Sequence, residues 1–512
     1  ITVYPGEKLS GGLVDQRTFT QLGESSGPVW DTLTLDGNGP TSWHPQFIYH
    51  GFRYLEVHGL PSAPTTDTAS AIILRTANAS AGSFTSSDEL LNGIHRIIDR
   101  AIQGNMYSVP TDCPTREKLG WLEQANLVYG AISRNYDIAA YYRPFVRDMA
   151  DAQTSQGLIP NIAPDYHRYG VGDANWGDTF VIGPWLQYRT YGDLRMLQQY
   201  YPAMQRYVDY LDNKAPGYLL QGGDFGDWIT TDSHTPKELI QTYAYHQTVA
   251  TMSKIATALG KPADADSYAT LADAIGAAVN AKYLDATNGT YATGTQSSDA
   301  FALDMGIVPA VDKQAVLDHL VGSIRAAGNH LTVGEIGLPA LLNALAANGR
   351  DDVIYDLATQ TTSPSWGYQV VHGATSLGEA WDGPTTLSSQ NHLMLGAIDE
   401  WLNAHLGGIQ QTADSVGYHD LLIRPAVLGT LTHVATRYVT PYGAARSEWW
   451  RTGTSLQLTV TVPGNSAATV YVPLAATGAS TATAPAGAQH VGDADGYAIY
   501  RVGSGTWSFA TS

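Results

Sequence analysis

One cysteine, Cys113, stands in a chain of 512 residues. An internal disulfide is therefore excluded, as is any cysteine-rich metal centre. Basic residues are scarce: 28 Lys and Arg stand against 47 Asp and Glu, a net charge of −19. Nucleic acid and anionic membrane surfaces are met by clustered Lys and Arg, so this balance argues against both as partners. No run of about 18 apolar residues offers a helix long enough to cross a membrane. No basic segment followed by an apolar one trails Ile1, so no leader peptide is expected at the start. Charged residues make up only 15% of the chain and hydrophobic ones 44%, which describes a folded globular protein. Its length calls for two to four domains. The aromatics are biased toward those with a polar tip, with 30 Tyr and 12 Trp against 9 Phe. Such side chains suit wet, partly apolar clefts as well as cores.

Hydrophobic periodicity divides the chain in three. Residues 1–82 read as strands, with alternating runs such as Ile1-Thr2-Val3-Tyr4 and Phe47 through Val57 between turn-rich segments. From Ser87 the period becomes helical, with Leu90, Leu91, Ile94, Ile97, Ile98 and Ile102 on one stripe behind a cap at Ser86-Ser87-Asp88-Glu89. Further helices are predicted to Leu406, among them Leu122–Arg134, Thr179–Tyr191, Tyr243–Leu259 and His392–Leu406. About a dozen helices without a heptad or short repeat predict an α/α toroid over residues 83–408. After Gly407-Gly408 the period returns to two, as in Ser455 through Val462, predicting a β domain over 409–512. The Ala/Thr/Gly/Pro-rich stretch 474–490 reads as loop.

Four polar loops carry candidate chemistry. Thr111 through Gln124 packs Asp112, Arg116, Glu117, Trp121 and Glu123 into one span punctuated by Pro114 and Gly120. Asp173-Ala174-Asn175-Trp176-Gly177-Asp178 and Gly222-Gly223-Asp224-Phe225-Gly226-Asp227-Trp228 each set a Trp beside an Asp. An aromatic face covers the C–H face of a pyranose while carboxylates accept from its hydroxyls, so this pairing suits a sugar cleft. The competing reading makes Asp178 and Asp227 helix caps and the Trps core. The fourth region joins Pro364-Ser365-Trp366-Gly367-Tyr368 to Glu379, Trp381, Asp382 and His392. Glycoside hydrolysis needs two carboxyl groups, one donating to the leaving oxygen and one activating water or attacking carbon. Glu117 and Glu379 are the candidates, although spacing does not show that they face one another. Cys113 reads as a buried loop residue, His234, His246 and His372 show no metal spacing, and no cofactor is expected.

These segments, in order, resemble bacterial and fungal α-L-rhamnosidases of glycoside hydrolase family 78. The resemblance rests on Tyr49 through Tyr54, Asp112-Cys113-Pro114 through Trp121, Asn175 through Asp178 with Pro184-Trp185, Gly226-Asp227-Trp228, Pro364 through Tyr368, Gly373 through Asp382, and Asn391-His392. Ile423-Arg424-Pro425 and Tyr442-Gly443 add matches near the C-terminus. It implies a mostly α protein, an (α/α)6 barrel flanked by a partial N-terminal β-sandwich and a C-terminal antiparallel β-sandwich. It further implies an exo-acting, inverting hydrolase releasing terminal α-L-rhamnose from glycans or glycosides, secreted or periplasmic, with a role in polysaccharide degradation.

Position by position, the resemblance makes Glu117 the general acid and Glu379 the base, standing about 6.5–9.5 Å apart as inversion requires. Asp112 and Arg116 would bind rhamnose hydroxyls, and Trp121, Trp176 and Trp228 would wall the pocket with Trp366 and His392 nearby. Gln124, Glu123, Asp178, Asp227 and Trp381 complete the expected substrate contacts.

The chain departs from the pattern at Glu123-Gln124, where Gly-Asp is usual, and at Gly378 and Ala380, which flank Glu379 in place of Trp and Arg. These departures keep a second reaction open: a lyase releasing rhamnose from rhamnosyl-glucuronate ends, with Arg116 or Lys118 neutralising the uronate. A non-catalytic carbohydrate binder is the third reading, and the presence of both Glu117 and Glu379 argues against it. The short N-terminal β region further leads to the expectation of an upstream fragment completing its sandwich.

Overall fold

The computed structural model describes residues 1–19, 28–166, 172–223 and 225–511. The switch to helical period falls where expected: α1 (Glu89–Asn105) starts after Asp88, whose carboxylate accepts from Leu90 N. Then follow α2 (Glu123–Leu127), α3 (Tyr129–Asn135), α4 (Ala139–Ala152), α5 (Ala174–Gly177), α6 (Thr179–Tyr191), α7 (Arg195–Asp212) and α8 (Lys237–Ala258). The remainder are α9 (Pro262–Tyr283), α10 (Gln296–Met305), α11 (Lys313–Ala326), α12 (Gly337–Ala347), α13 (Asp351–Ala358), α14 (Trp366–Val371) and α15 (Ile398–Trp401).

Contacts between these helices close a ring. The pair α2/α3 meets α6 through α2, α6 meets α8, α8 meets α10, α10 meets α12, α12 meets α15, and α15 returns to α3. Outside it, α4 and α7 cover α6, α9 covers α8, α11 covers α10, α13 covers α12, and α1 with α14 covers α3 and α15. Each outer helix buries one stripe, as in α7, where Met196, Leu197, Met204, Tyr207, Val208 and Leu211 face inward. The inner α10 is buried almost all round, from Gln296 to Leu303.

Two predicted helices change form. Leu122–Arg134 breaks at Val128, whose φ −113° and ψ 19° are non-helical, giving α2 and α3. In His392–Leu406 only α15 and a π turn over Leu402–Leu406 are helical, because His392 N donates to Leu377 O and is held in the site loop.

The C-terminal domain is two facing sheets. One orders strands 489–494, 497–502, 467–473, 420–423 and 409–411, and the other 482–483, 505–511, 455–462, 443–452, 433–440 and 82–86. Strand Gly82–Ser86, mostly within the stretch assigned to the barrel, instead forms an edge of this second sheet, pairing antiparallel with His433–Thr440. Alternation in Ser455–Val462 turns Leu456, Leu458, Val460 and Val462 inward. The indole of Trp449, buried in this core, donates to Leu406 O and fastens the sandwich to the barrel.

At the N-terminus, Thr2–Gly6 pairs with Tyr54–His58 and with Asp31–Thr32. The strand expected from Phe47 to Val57 forms only at Tyr54–His58. The preceding backbone is diverted onto the barrel, with Gly51 N donating to Pro114 O and Lys118 Nζ donating to Tyr49 O.

Candidate active site

The loop between α1 and α2 is closed by Asp112. Its Oδ1 accepts from Leu119 N at 2.7 Å, and its own N donates to Leu119 O at 3.0 Å. Gly120 is required here, because a Cβ would lie 2.3 Å from Ala163 O. The closed loop projects Arg116 and Glu117 together. Arg116 Nη2 donates to Glu379 Oε2 at 2.7 Å and its Nε donates to Glu117 Oε1 at 3.4 Å. One guanidinium therefore touches both predicted catalytic carboxyls, which lie 262 positions apart in the chain. Trp121 Nε1 donates to the other oxygen of Glu117 at 2.8 Å. Glu379 is fixed in turn by Ser389, whose N donates to Oε2 at 3.1 Å and whose O accepts from Glu379 N at 2.9 Å.

Burial pushes the Glu379 carboxyl up, but His392 and Arg116 outweigh it and hold the group below its ordinary value. His392 is itself pushed down to about 4 by burial, so at neutral pH it carries no charge. Arg116 is then the permanent charge that keeps Glu379 ionised. Burial, reinforced by the charge of Glu117, pushes Asp112 up to about 8. Burial likewise pushes Glu123 up to about 8.

Around this centre lie buried polar atoms with no partner among the described residues: Asp112 Oδ2, Arg116 Nη1, Glu123 Oε2, Gln124 Oε1, Trp176 Nε1 and His392 Nδ1. Buried polar atoms left unsatisfied are costly, so a set converging on one cleft marks where a polyhydroxylated ligand or water would be held. An aromatic wall flanks them. Trp121, Trp176 and Trp228 each pack against Phe225, with ring centroids 5.6, 4.8 and 6.2 Å away. Trp228 stays 41% exposed, leaving a free face. Asp224 of this loop lies outside the described residues.

Four expected substrate contacts are placed otherwise. Trp366 is fully buried with its indole donating to Leu395 O, and Trp381 is buried edge-on against it, donating to Val333 O. Both are core residues that position the Glu379 loop. Asp227 spends both oxygens on protein donors: Ser297 Oγ, Gly334 N, Ile336 N and Gly337 N. It is a clamp on the start of α12. Asp178 accepts from Asn126 and lines a separate cavity of about 600 Å³ with Tyr243, Lys254 and Asp304. Asp178 stands at the N-cap of α6 without a side-chain cap hydrogen bond, whereas α8 begins after Pro236, well beyond Asp227.

Three residues of the site escaped the sequence reading. Phe225 organises the Trp wall. Glu7, from the N-terminal region, accepts from Gln390 N, and burial raises it to about 7 beside Arg116 and Glu379. Glu335 is buried with Oε2 unpartnered among the described residues. Its signal was only an acidic residue in the apolar setting Val333-Gly334-Glu335-Ile336.

Asp112, Cys113 and His392 also bring one ligand-capable atom each within 4.8 Å of one another. Burial and the Asp112 charge raise the Cys113 thiol well above its ordinary value, which disfavours a thiolate nucleophile.

A helical toroid with two carboxyls on one arginine and an aromatic wall beside them defines the six-hairpin glycosidase class. The profile of the bacterial α-L-rhamnosidase six-hairpin glycosidase domain matches residues 79–406, that of the concanavalin-like domain 1–75, and that of the C-terminal domain 408–485. The chain belongs to the bacterial α-L-rhamnosidase family. An α-L-rhamnosidase of Streptomyces avermitilis is 34% identical over 498 residues, covering 94% of this chain and 47% of the relative. A crystal structure of a Streptomyces avermitilis α-L-rhamnosidase complexed with L-rhamnose superposes with a TM-score of 0.94 at 32% identity, over 100% of this chain and 49% of that one. The α-L-rhamnosidase structure from Dictyoglumus thermophilum gives 0.93 at 30% identity, over 100% and 59%. The chain thus spans about half the length of the curated relatives it matches.

Proposed function

We propose that the chain is an exo-acting, inverting hydrolase of terminal α-L-rhamnosides. The observation that carries this reading is the Arg116 bridge, which brings Glu117 and Glu379 to one guanidinium beside a set of unpartnered polar atoms. Glu117 donates a proton to the departing glycosidic oxygen. Glu379, kept ionised by Arg116, takes a proton from a water that attacks the anomeric carbon from the opposite face. Asp112 Oδ2, Arg116 Nη1, Gln124 and His392 hold the hydroxyls, while Trp176 and Trp228 cover the apolar face of the ring. The relatives' printed activity and the rhamnose complex support rhamnose as the sugar.

Elimination from a uronate fits less well. It needs a free cation for the uronate carboxylate, yet Arg116 is engaged by two carboxyls and Lys118 Nζ donates to Tyr49 O.

Activity on p-nitrophenyl α-L-rhamnoside tests the reading. Glu117→Gln and Glu379→Gln are each expected to lower kcat at least about a hundredfold, the scale of removing a general acid or base. Near-normal activity in both variants overturns the assignment, as does a 4,5-unsaturated product from a rhamnosyl-glucuronate substrate.

A further inference from the structure

Glu335 sits two residues before α12 on a loop tied on both sides. Asp227 clasps it through Gly334 N, Ile336 N and Gly337 N, and Glu335 N donates to Trp228 O at 2.9 Å. On its other side, Val333 O accepts from the indole of Trp381, two positions beyond Glu379. The side chain is thereby fixed between the Trp228 wall and the Glu379 loop. It is 1% exposed, and its Oε2 has no partner among the described residues. Glu123, from the start of α2, is 3% exposed and also leaves Oε2 unpartnered among the described residues.

We propose that Glu335 is a sugar-contacting, specificity-determining residue: with Glu123 it forms a carboxylic acid–carboxylate grip that donates to one hydroxyl of the rhamnosyl group and accepts from another. This rests on the reading of the cleft as a rhamnoside site. The surroundings support the shared proton. Glu335 feels the charges of Glu123, Asp227, Glu379 and Asp173, and Glu123 those of Asp112 and Glu117, with burial the main cause that raises both groups. Two buried carboxylates so placed do not both ionise, so one remains a donor at neutral pH. A neutral acid supplies one O–H and its ionised neighbour only acceptors, a combination that fits a pair of hydroxyls and rejects a second anion.

Calorimetric binding of L-rhamnose and its 2-, 3- and 4-deoxy analogues to the full chain tests this, using the unaltered protein, Glu335→Leu and Glu335→Gln. Glu335→Leu is expected to weaken L-rhamnose about tenfold to a hundredfold, the range for a hydrogen bond to a charged group. For one deoxy sugar, the one lacking the gripped hydroxyl, the loss should shrink to within about twofold. A structural role would weaken all four sugars alike. Glu335→Gln, which keeps the shape, should show the same dependence on one hydroxyl and serves if the Leu variant fails to fold. Unchanged L-rhamnose affinity in a folded variant overturns the role of Glu335, as does equal loss across the series, while leaving the rhamnoside reading standing. Failure of the unaltered protein to bind L-rhamnose overturns both.

Discussion

Arg116 Nη2 lies 2.7 Å from Glu379 Oε2, with the guanidinium and carboxylate both largely buried. The pair sets which protonation state of Glu379 the cleft holds. Burial pushes the carboxyl up, and His392, Arg116 and the Ser389 N–H together outweigh it. Replacing Arg116 with Gln removes its charge and shifts the balance toward burial. The acid limb of the kcat/KM profile should then move to higher pH, and activity at its optimum should fall by about tenfold or more. A pH profile of the variant with its acid limb in place would separate Arg116 from the ionisation of Glu379.

Buried carboxyls elsewhere in the cleft predict an opposite trend in stability. Glu123 is pushed up to about 8, above its unfolded value, so the folded chain holds a proton that the unfolded one releases. Its contribution is fully present below about pH 4.5 and is lost as pH rises toward about 8. Denaturant unfolding should therefore show stability falling over that window, and Glu123→Gln should flatten part of the fall. An unchanged slope in the variant would mean that Glu123 is ionised in the folded state.

Asp227 should matter to stability before it matters to chemistry. Removing its carboxylate strands three buried backbone N–H groups and Ser297 Oγ. Asp227→Ala is expected to cost about 3 kcal/mol or more, since each stranded buried group costs about 1–3 kcal/mol. A thermal unfolding midpoint within error of the unaltered protein would contradict the clamp.

The tryptophans divide by the same logic. Trp228→Ala removes a half-open aromatic face and should raise KM with little loss of stability. Trp366→Ala empties a fully buried site and should cost about 3–5 kcal/mol. The reverse pattern, a raised KM in a stable Trp366 variant, would restore Trp366 to the sugar wall.

Much of this architecture is legible in the sequence because its signals are local. Asp88 caps α1 where the period changes, and the alternation of Ser455–Val462 survives intact as a sandwich strand. The inner helix α10 is hard to read in the sequence because a helix buried on nearly all sides carries no amphipathic stripe. Gly82–Ser86 was misplaced because its partner strand lies some 350 residues away, and five residues of alternation do not name a sheet. The polar loops were legible as composition, but the division of labour within them was not. Asp227 and Trp366 look like sugar ligands in sequence and become structural because their polar atoms are claimed by backbone groups from distant segments. Glu335 carries no motif, and only its burial with an unpartnered Oε2 among the described residues distinguishes it.

The central claim is that Glu117 and Glu379 act on opposite faces of an α-L-rhamnoside. The most direct measurement is proton magnetic resonance of the first sugar released from p-nitrophenyl α-L-rhamnoside, recorded before mutarotation. Inversion through an activated water predicts β-L-rhamnose as the initial product. Initial α-L-rhamnose would require a covalent intermediate on one of the two carboxyls and would contradict the account.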